Sequence, residues 1–203
     1  DLMRTGDNVI LDVGCATGAL GFDLKKSKRA SVVYGVEGFA DAAEVASSVL
    51  DFVYKGNLET LDFDDLNQRW GNVKFDYIIF GDVLEHLQEP WSTLKRCLLM
   101  LKPGGRAIIS LPNVRHWSVL LPLAILGRWQ YRESGILDMT HLRFFTKSSA
   151  KMFVINCGLR VLKISMPVTG RRTSTLSKLT FGLIDEFLSM QILIEADIKD
   201  GVP

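Results

Sequence analysis

Over the first 160 residues, short apolar runs rich in β-branched residues alternate with stretches whose apolar positions recur every three or four residues. The runs predict strands at Asn8–Asp12, Ser31–Val36, Phe52–Lys55, Phe75–Phe80 and Arg106–Leu111. The periodic stretches predict helices at Ala19–Ser27, Ala40–Leu50, Asp64–Trp70 and Pro90–Leu101. In the last of these, Trp91, Leu94, Leu98 and Leu101 keep the helical period until Pro103-Gly104-Gly105 stops it. Such alternation predicts a parallel sheet with helices on both faces and right-handed crossovers. The pattern then changes. Val114–Gly127 reads as an apolar helix, and Arg128–Phe145 as an irregular polar and aromatic stretch. Lys147–Asn156 reads as a helix closed by Gly158, and Leu159–Met166 and Phe187–Ala196 as two final strands. Pro167–Thr180, rich in Thr, Ser and Arg, reads as a flexible loop. No internal repeat or linker interrupts residues 1–203, so one domain is expected.

Composition narrows the class of function. With 47% hydrophobic and 23% charged residues, the chain falls in the ordinary globular range. A net charge of +1 and the lack of a basic stripe with interleaved aromatics argue against a nucleic-acid partner. Cys15, Cys97 and Cys157 show neither a disulfide pattern nor metal-ligand spacing, which favours a reducing, cytoplasmic setting. No signal peptide opens the chain, which starts at Asp1 without Met. Its most apolar stretch, Trp117–Leu126, is too short to span a bilayer, which needs roughly 20 residues.

The chemistry concentrates in "VILDVGCATG", residues 9–18, where a strand runs into Gly14, Cys15, Ala16, Thr17 and Gly18. A turn of small residues lets a ligand approach the backbone and aims free helix N–H groups at it. A tight turn with no ligand is the alternative. Ala16 and Ala19 stand at two glycine positions of the dinucleotide pattern, and the Lys-Ser/Thr of a triphosphate loop is missing. Glu37, at the end of "VVYGVE", can accept both hydroxyls of a ribose; otherwise it is a solvated strand-end carboxylate.

Five stretches in order, "LDVGCATG", "VYGVEGFADAAEVA", "YKGNLE", "FDYIIFGDVLEHLQEP" and "LKPGGRAIISLPN", resemble the class I S-adenosylmethionine-dependent methyltransferases over residues 8–165. A further run, "DMTHLRFFTKSSAKMFVINCGLRVLKI", resembles a subgroup acting on small molecules, lipids or sugars. The resemblance implies a Rossmann-like α/β sandwich with seven strands in order 3-2-1-4-5-7-6, the last antiparallel. It implies S-adenosylmethionine as cofactor. Asp12 and the backbone of Gly14, Cys15, Ala16 and Gly18 would hold its methionine part, and Glu37 with Gly38 its ribose. Asn57 and Leu58 would flank the adenine, and Gly81 and Asp82 would line the methionine and acceptor side. Two positions depart from the family pattern: Ala16 replaces the middle glycine, which slightly crowds the turn, and Asn57 replaces an acid but can still accept through its carbonyl oxygen.

Methyl transfer from a sulfonium needs alignment above all, and a general base where the acceptor is a hydroxyl. His86, just past the fourth strand, and His141, in "MTHLRFFT", are the base candidates; each has a purely structural alternative. His116, at a helix start, reads as exposed. No compact His/Asp/Glu ligand set is evident, so no metal is expected. Residues 114–146 read as an acceptor lid, as a helix covering the sheet edge, or as an interfacial anchor giving at most peripheral membrane contact. Arg171 and Arg172 are candidates for an anionic acceptor, or plain solvated charge. The expected activity is methylation of an oxygen or nitrogen of a small molecule, sugar or lipid-linked glycan. An NAD-dependent oxidoreductase and a non-catalytic methyltransferase-like binding module are the rivals.

Overall fold

β1 (Val9–Val13) and β2 (Val32–Glu37) are apolar on both sides, and in a computed structural model describing residues 2–199 both sides are covered. Leu11, Val13, Val36, Ile78 and Phe80 pack on one face of the sheet; Ile10, Val33, Tyr77 and Ile79 pack on the other. Continuous apolar runs of this kind suit the parallel strands of a three-layer fold. Seven strands form one sheet in the order β3-β2-β1-β4-β5-β7-β6. The others are β3 (Phe52–Lys55), β4 (Phe75–Gly81), β5 (Leu101–Pro112), β6 (Leu159–Ser165) and β7 (Gln191–Ile198). β7 alone runs antiparallel to its neighbours. The helices α1 (Ala19–Lys26), α2 (Ala40–Ser47), α3 (Phe63–Arg69) and α4 (Pro90–Leu98) connect the parallel strands.

The topology collects the chemistry at one edge. The carboxyl ends of β1, β2, β4 and β5 lie together there. Because β7 is antiparallel, Pro112 pairs with Gln191 and Leu193 with Ser165. The connections after β5 and after β6 therefore rise from that same edge. The first holds α5 (Trp117–Leu126) and leads to α6 (Lys147–Asn156); the second holds α7 (Arg171–Leu179) and α8 (Asp185–Leu188).

Three expectations change. Residues 167–180 are not a loop throughout: α7 occupies Arg171–Leu179. Its hydroxyls satisfy backbone carbonyls, as when Thr173 Oγ1 donates to Thr169 O at 2.5 Å and Thr175 Oγ1 to Arg171 O at 2.9 Å. Polar residues that suggest a loop thus sit in a helix through such local bonds. The side chain of Arg172 lies outside what is described. The last strand starts at Gln191, four residues later than expected, since α8 fills Asp185–Leu188. Pro103-Gly104-Gly105 falls within β5: Phe75 pairs with Leu101 but Tyr77 with Arg106, so the intervening residues bulge out of the ladder.

Candidate active site

The turn after β1 is bound to the tip of β2. Gly14 and Cys15 N–H both donate to Val36 O, at 2.8 and 3.1 Å. Glu37, buried at 6% exposure, holds the next turn residue: its Oε2 accepts from Ala16 N–H and its Oε1 from Phe39 N–H, both at 2.8 Å. Each carboxylate oxygen keeps a further lone pair. Glu37 is thus fixed in place before any ligand arrives. Gly14 (φ +74°) and Gly18 (φ +81°) adopt left-handed backbone, and so does Ala16 (φ 46°). The alanine therefore strains the backbone rather than merely crowding the turn. The first turn of α1 follows Gly18, which provides no side-chain cap.

Asp12 sits beneath this turn at 2% exposure, and its Oδ2 has no hydrogen-bond partner. Burial, with the Glu37 charge adding, pushes its carboxyl up to about 7. The Cys15 thiol is buried and pushed up to about 12, so it packs under the sheet as an inert group. Gly38 follows Glu37 directly and starts the turn into α2. Past the end of β3, Asn57 Oδ1 accepts from Glu59 N–H at 2.9 Å, so one of its two lone pairs is taken. The Leu58 side chain belongs to the core.

At the end of β4, a β-carbon on Gly81 would meet nothing within 4 Å. Asp82 is held by Ser110 Oγ–H on Oδ1 at 2.7 Å and by Gln191 Nε2–H on Oδ2 at 3.2 Å. A β-carbon on Gly14 would stand 2.7 Å from Val83 Cγ2, so the glycine turn abuts the segment that carries the next group of residues.

That segment forms a single 3-10 turn, Leu84–His86. The rings of His86 and His141 lie edge to face, 4.6 Å between centroids. The distant chain is anchored here because Glu85 O accepts from Leu142 N–H at 2.8 Å and Arg143 N–H at 3.0 Å. Thr140 Oγ1 donates its one proton to Asp138 Oδ1 at 2.6 Å. Toward His86 Nδ1, 3.0 Å away, it can only accept. His86 therefore carries its proton on Nδ1 and leaves Nε2 free. His141 Nδ1 donates to Ile136 O at 3.1 Å by the same reasoning, turning Nε2 toward Glu85 Oε1 at 3.9 Å. Glu85 is 1% exposed and neither carboxylate oxygen has a hydrogen-bond partner. Its burial, then the nearby Asp82 charge, push the carboxyl up to about 8. Burial and the neighbouring His141 push His86 below the usual imidazole value, keeping it a neutral base.

The structure thus brings His86 and His141 together. It also assembles a set that spacing along the chain conceals: Glu85, His86 and His141 offer donor atoms all within 4.8 Å of one another and could hold a metal ion. Glu85 stands beside His86 in the sequence, but His141 is 55 residues further on. His116 is not exposed: it is the buried N-cap of α5, its Nδ1 accepting from Ser118 N–H. A separate open cleft of about 610 Å³, lined by Lys95, Leu98, Cys157 and Ile198, lies at the opposite end of the strands.

Residues 11–107 match the family described as "Methyltransferase domain". The "Ubiquinone biosynthesis O-methyltransferase" of Coxiella burnetii (strain RSA 331 / Henzerling II) is 26% identical over 157 residues, which is 77% of this chain and 65% of the relative. The protein of the same name from Azoarcus sp. (strain BH72) is 29% identical, over 77% of this chain and 66% of its own length. The chain thus spans just under two thirds of these relatives. Among solved structures, an SAM-dependent methyltransferase from Thermotoga maritima superposes with TM-score 0.65 at 18% identity, covering 95% of this chain and 82% of that one. One from Mesorhizobium loti gives TM-score 0.63 at 14% identity, covering 96% and 93%. The oxidoreductase alternative predicts the order 3-2-1-4-5-6, whereas here an antiparallel seventh strand lies between β5 and β6. Over residues 11–107 the chain is thus similar to the methyltransferase domain, and its seven-stranded fold is that of the solved methyltransferases it superposes on.

Proposed function

We propose that the protein transfers a methyl group from S-adenosylmethionine to a hydroxyl oxygen of a small or lipid-linked acceptor, with His86 Nε2 as the base. The observation that carries this reading is the Asp138–Thr140–His86 chain. It holds His86 in the tautomer whose free Nε2 can take a hydroxyl proton. The O-methyltransferase names of the relatives support oxygen as the acceptor atom.

The residues present fit the cofactor. Glu37 has spare lone pairs for a ribose, Gly81 leaves open space, and Asp12 has a buried oxygen with no partner. When bound, S-adenosylmethionine supplies an electrophilic methyl on a cationic sulfur. Glu37 would hold the sugar, the Gly14–Gly18 backbone and Asp12 the methionine part, and the Asn57–Leu58 main chain would flank the adenine. Asp82, fixed by Ser110 and Gln191, would orient the acceptor side. His86 would receive the acceptor proton, and the neighbouring His141–Glu85 pair would keep that pocket dry and fixed.

His86→Ala and His141→Ala enzymes are expected to keep cofactor affinity by calorimetry while turnover falls at least about tenfold. The acidic limb of the wild-type rate profile is expected below pH 6.5, following the depressed His86. Unchanged turnover in both variants removes the base assignment. A second reading has one observation behind it. Glu85, His86 and His141 each offer a donor atom within 4.8 Å of the others, as ligands of a divalent cation do, and the Glu85 oxygens have no hydrogen-bond partner. Turnover lost to a chelator and restored by Mg²⁺ or Mn²⁺ would favour it over a bare histidine base.

A further inference from the structure

α5 is apolar on every side yet hardly buried. Of its ten residues only Val119 is covered, while Leu121, Leu123, Ile125 (73% exposed) and Leu126 reach solvent. Successive helical residues point about 100° apart. A protein groove would cover one side of α5 and leave the others wet; a fluid apolar phase covers all of them. From Asn113 through Arg132 the sequence has no acidic residue, but it has Arg115, Arg128 and Arg132. Trp117, Trp129 and Tyr131 stand exposed at the ends of the apolar stretch, where aromatic rings and arginines suit a lipid headgroup layer. The connection after β6 rises from the same sheet edge and presents Leu179, Phe181 (92% exposed) and Leu183. Arg115 on one connection pairs with Glu186 on the other at 2.5 Å, tying the two together. Residues 113–147 and 166–190 carry eight arginines and lysines against four acids, whereas the rest of the chain has sixteen against nineteen. The positive charge is therefore concentrated on the edge that also carries the apolar surface. Among the described residues no helix is long and apolar enough to cross a membrane.

We propose that α5 with the segment to Tyr131, together with the Leu179–Leu183 turn, docks on the surface of a bilayer containing anionic lipid. The surface leads straight to the histidine pair: the Trp129 ring meets Phe144 at 5.0 Å, and Phe144 meets His141 at 6.4 Å. An acceptor with an apolar tail could stay in the bilayer while its polar end reaches His86. Docking itself does not depend on the methyl-transfer reading, so its test is a binding measurement that can fail or succeed independently of activity.

The experiment is flotation of the intact protein with vesicles of phosphatidylcholine alone and of phosphatidylcholine with phosphatidylglycerol. Wild-type protein is expected to float with the anionic vesicles, less with the neutral ones, and progressively less as salt rises. Ile125→Asp with Leu126→Asp is expected to lower the bound fraction at least about tenfold, and Arg128→Glu with Arg132→Glu to abolish the preference for anionic lipid. Met152→Asp, at an exposed position on α6, serves as control and is expected to bind as wild type. Both targeted sites are exposed, and thermal melts of each variant verify folding. Wild-type protein that stays in solution with anionic vesicles overturns the proposal, and so does undiminished binding by the Ile125/Leu126 variant. If sedimentation instead finds a dimer that this variant splits, without vesicle binding, the face belongs to a second copy of the chain and the proposal also fails.

Discussion

Asp12 is held at a cost to the free protein. Its folded carboxyl titrates near 7 instead of the usual 3.8 because burial strips its solvent and Glu37 repels it. Between those values the folded state binds the proton and the unfolded state does not. Stability therefore falls as pH rises from about 4 to 7, by on the order of 4 kcal/mol if the whole shift is realised. Asp12→Asn removes the titration, so thermal melts without ligand should show the variant gaining on wild type from pH 5 to pH 8. Equal pH dependence in the two would remove this account of Asp12. A cationic sulfonium or ammonium bound nearby would favour the ionised carboxylate and release a proton. At this scale Glu37 is legible from sequence, because an acid closing a parallel strand after a glycine turn has a definite place in space. Its grip on Ala16 N–H is not legible, because it depends on how the two strand tips meet. Glu85 and Thr140 escape for a similar reason: their meaning comes from His141 and His86, brought to them across more than fifty residues.

Elements that follow hydrophobic period are read well. α6 lies at Lys147–Asn156 as its pattern predicts, since it packs one repeating face through Ala150, Phe153 and Val154, and β3 lies at Phe52–Lys55 as its β-branched and aromatic run predicts. α7 is misread because its threonines and serines bond locally, which no periodicity reports. The bulge at Pro103-Gly104-Gly105 is misread because proline and glycine mark both a helix end and a break in a ladder. The glycine turn itself gives a sharp test of how tightly α1 seats on α2. A β-carbon at Gly18 would lie 2.6 Å from Val49 Cγ2 and 3.3 Å from Ala46 Cα, on backbone with φ +81°. Gly18→Ala is expected to cost at least about 2 kcal/mol in denaturant unfolding. A loss of a few tenths would mean that the turn relaxes and is not the rigid cradle described.

For the molecule as a whole, the sheet order and its single antiparallel strand decide what the glycine turn leaves open. They set this chain apart from the dinucleotide folds that also end their second strand in an acid. Ligand linkage tests that distinction in solution. At a hundredfold excess over its dissociation constant, S-adenosylmethionine or its demethylated product should stabilise the protein by about 2.7 kcal/mol, and NAD should not. The connections after β5 and β6, proposed to border the acceptor, are less legible, because they pack by aromatic and local polar contacts with no repeating pattern. The most direct test of the account is a crystal structure of the protein saturated with S-adenosylmethionine. The account predicts ribose hydroxyls on the Glu37 carboxylate and the methionine part against the Gly14–Gly18 backbone above Asp12. A ligand-free crevice at saturation, or a nucleoside bound with Glu37 turned away from its sugar, would contradict it.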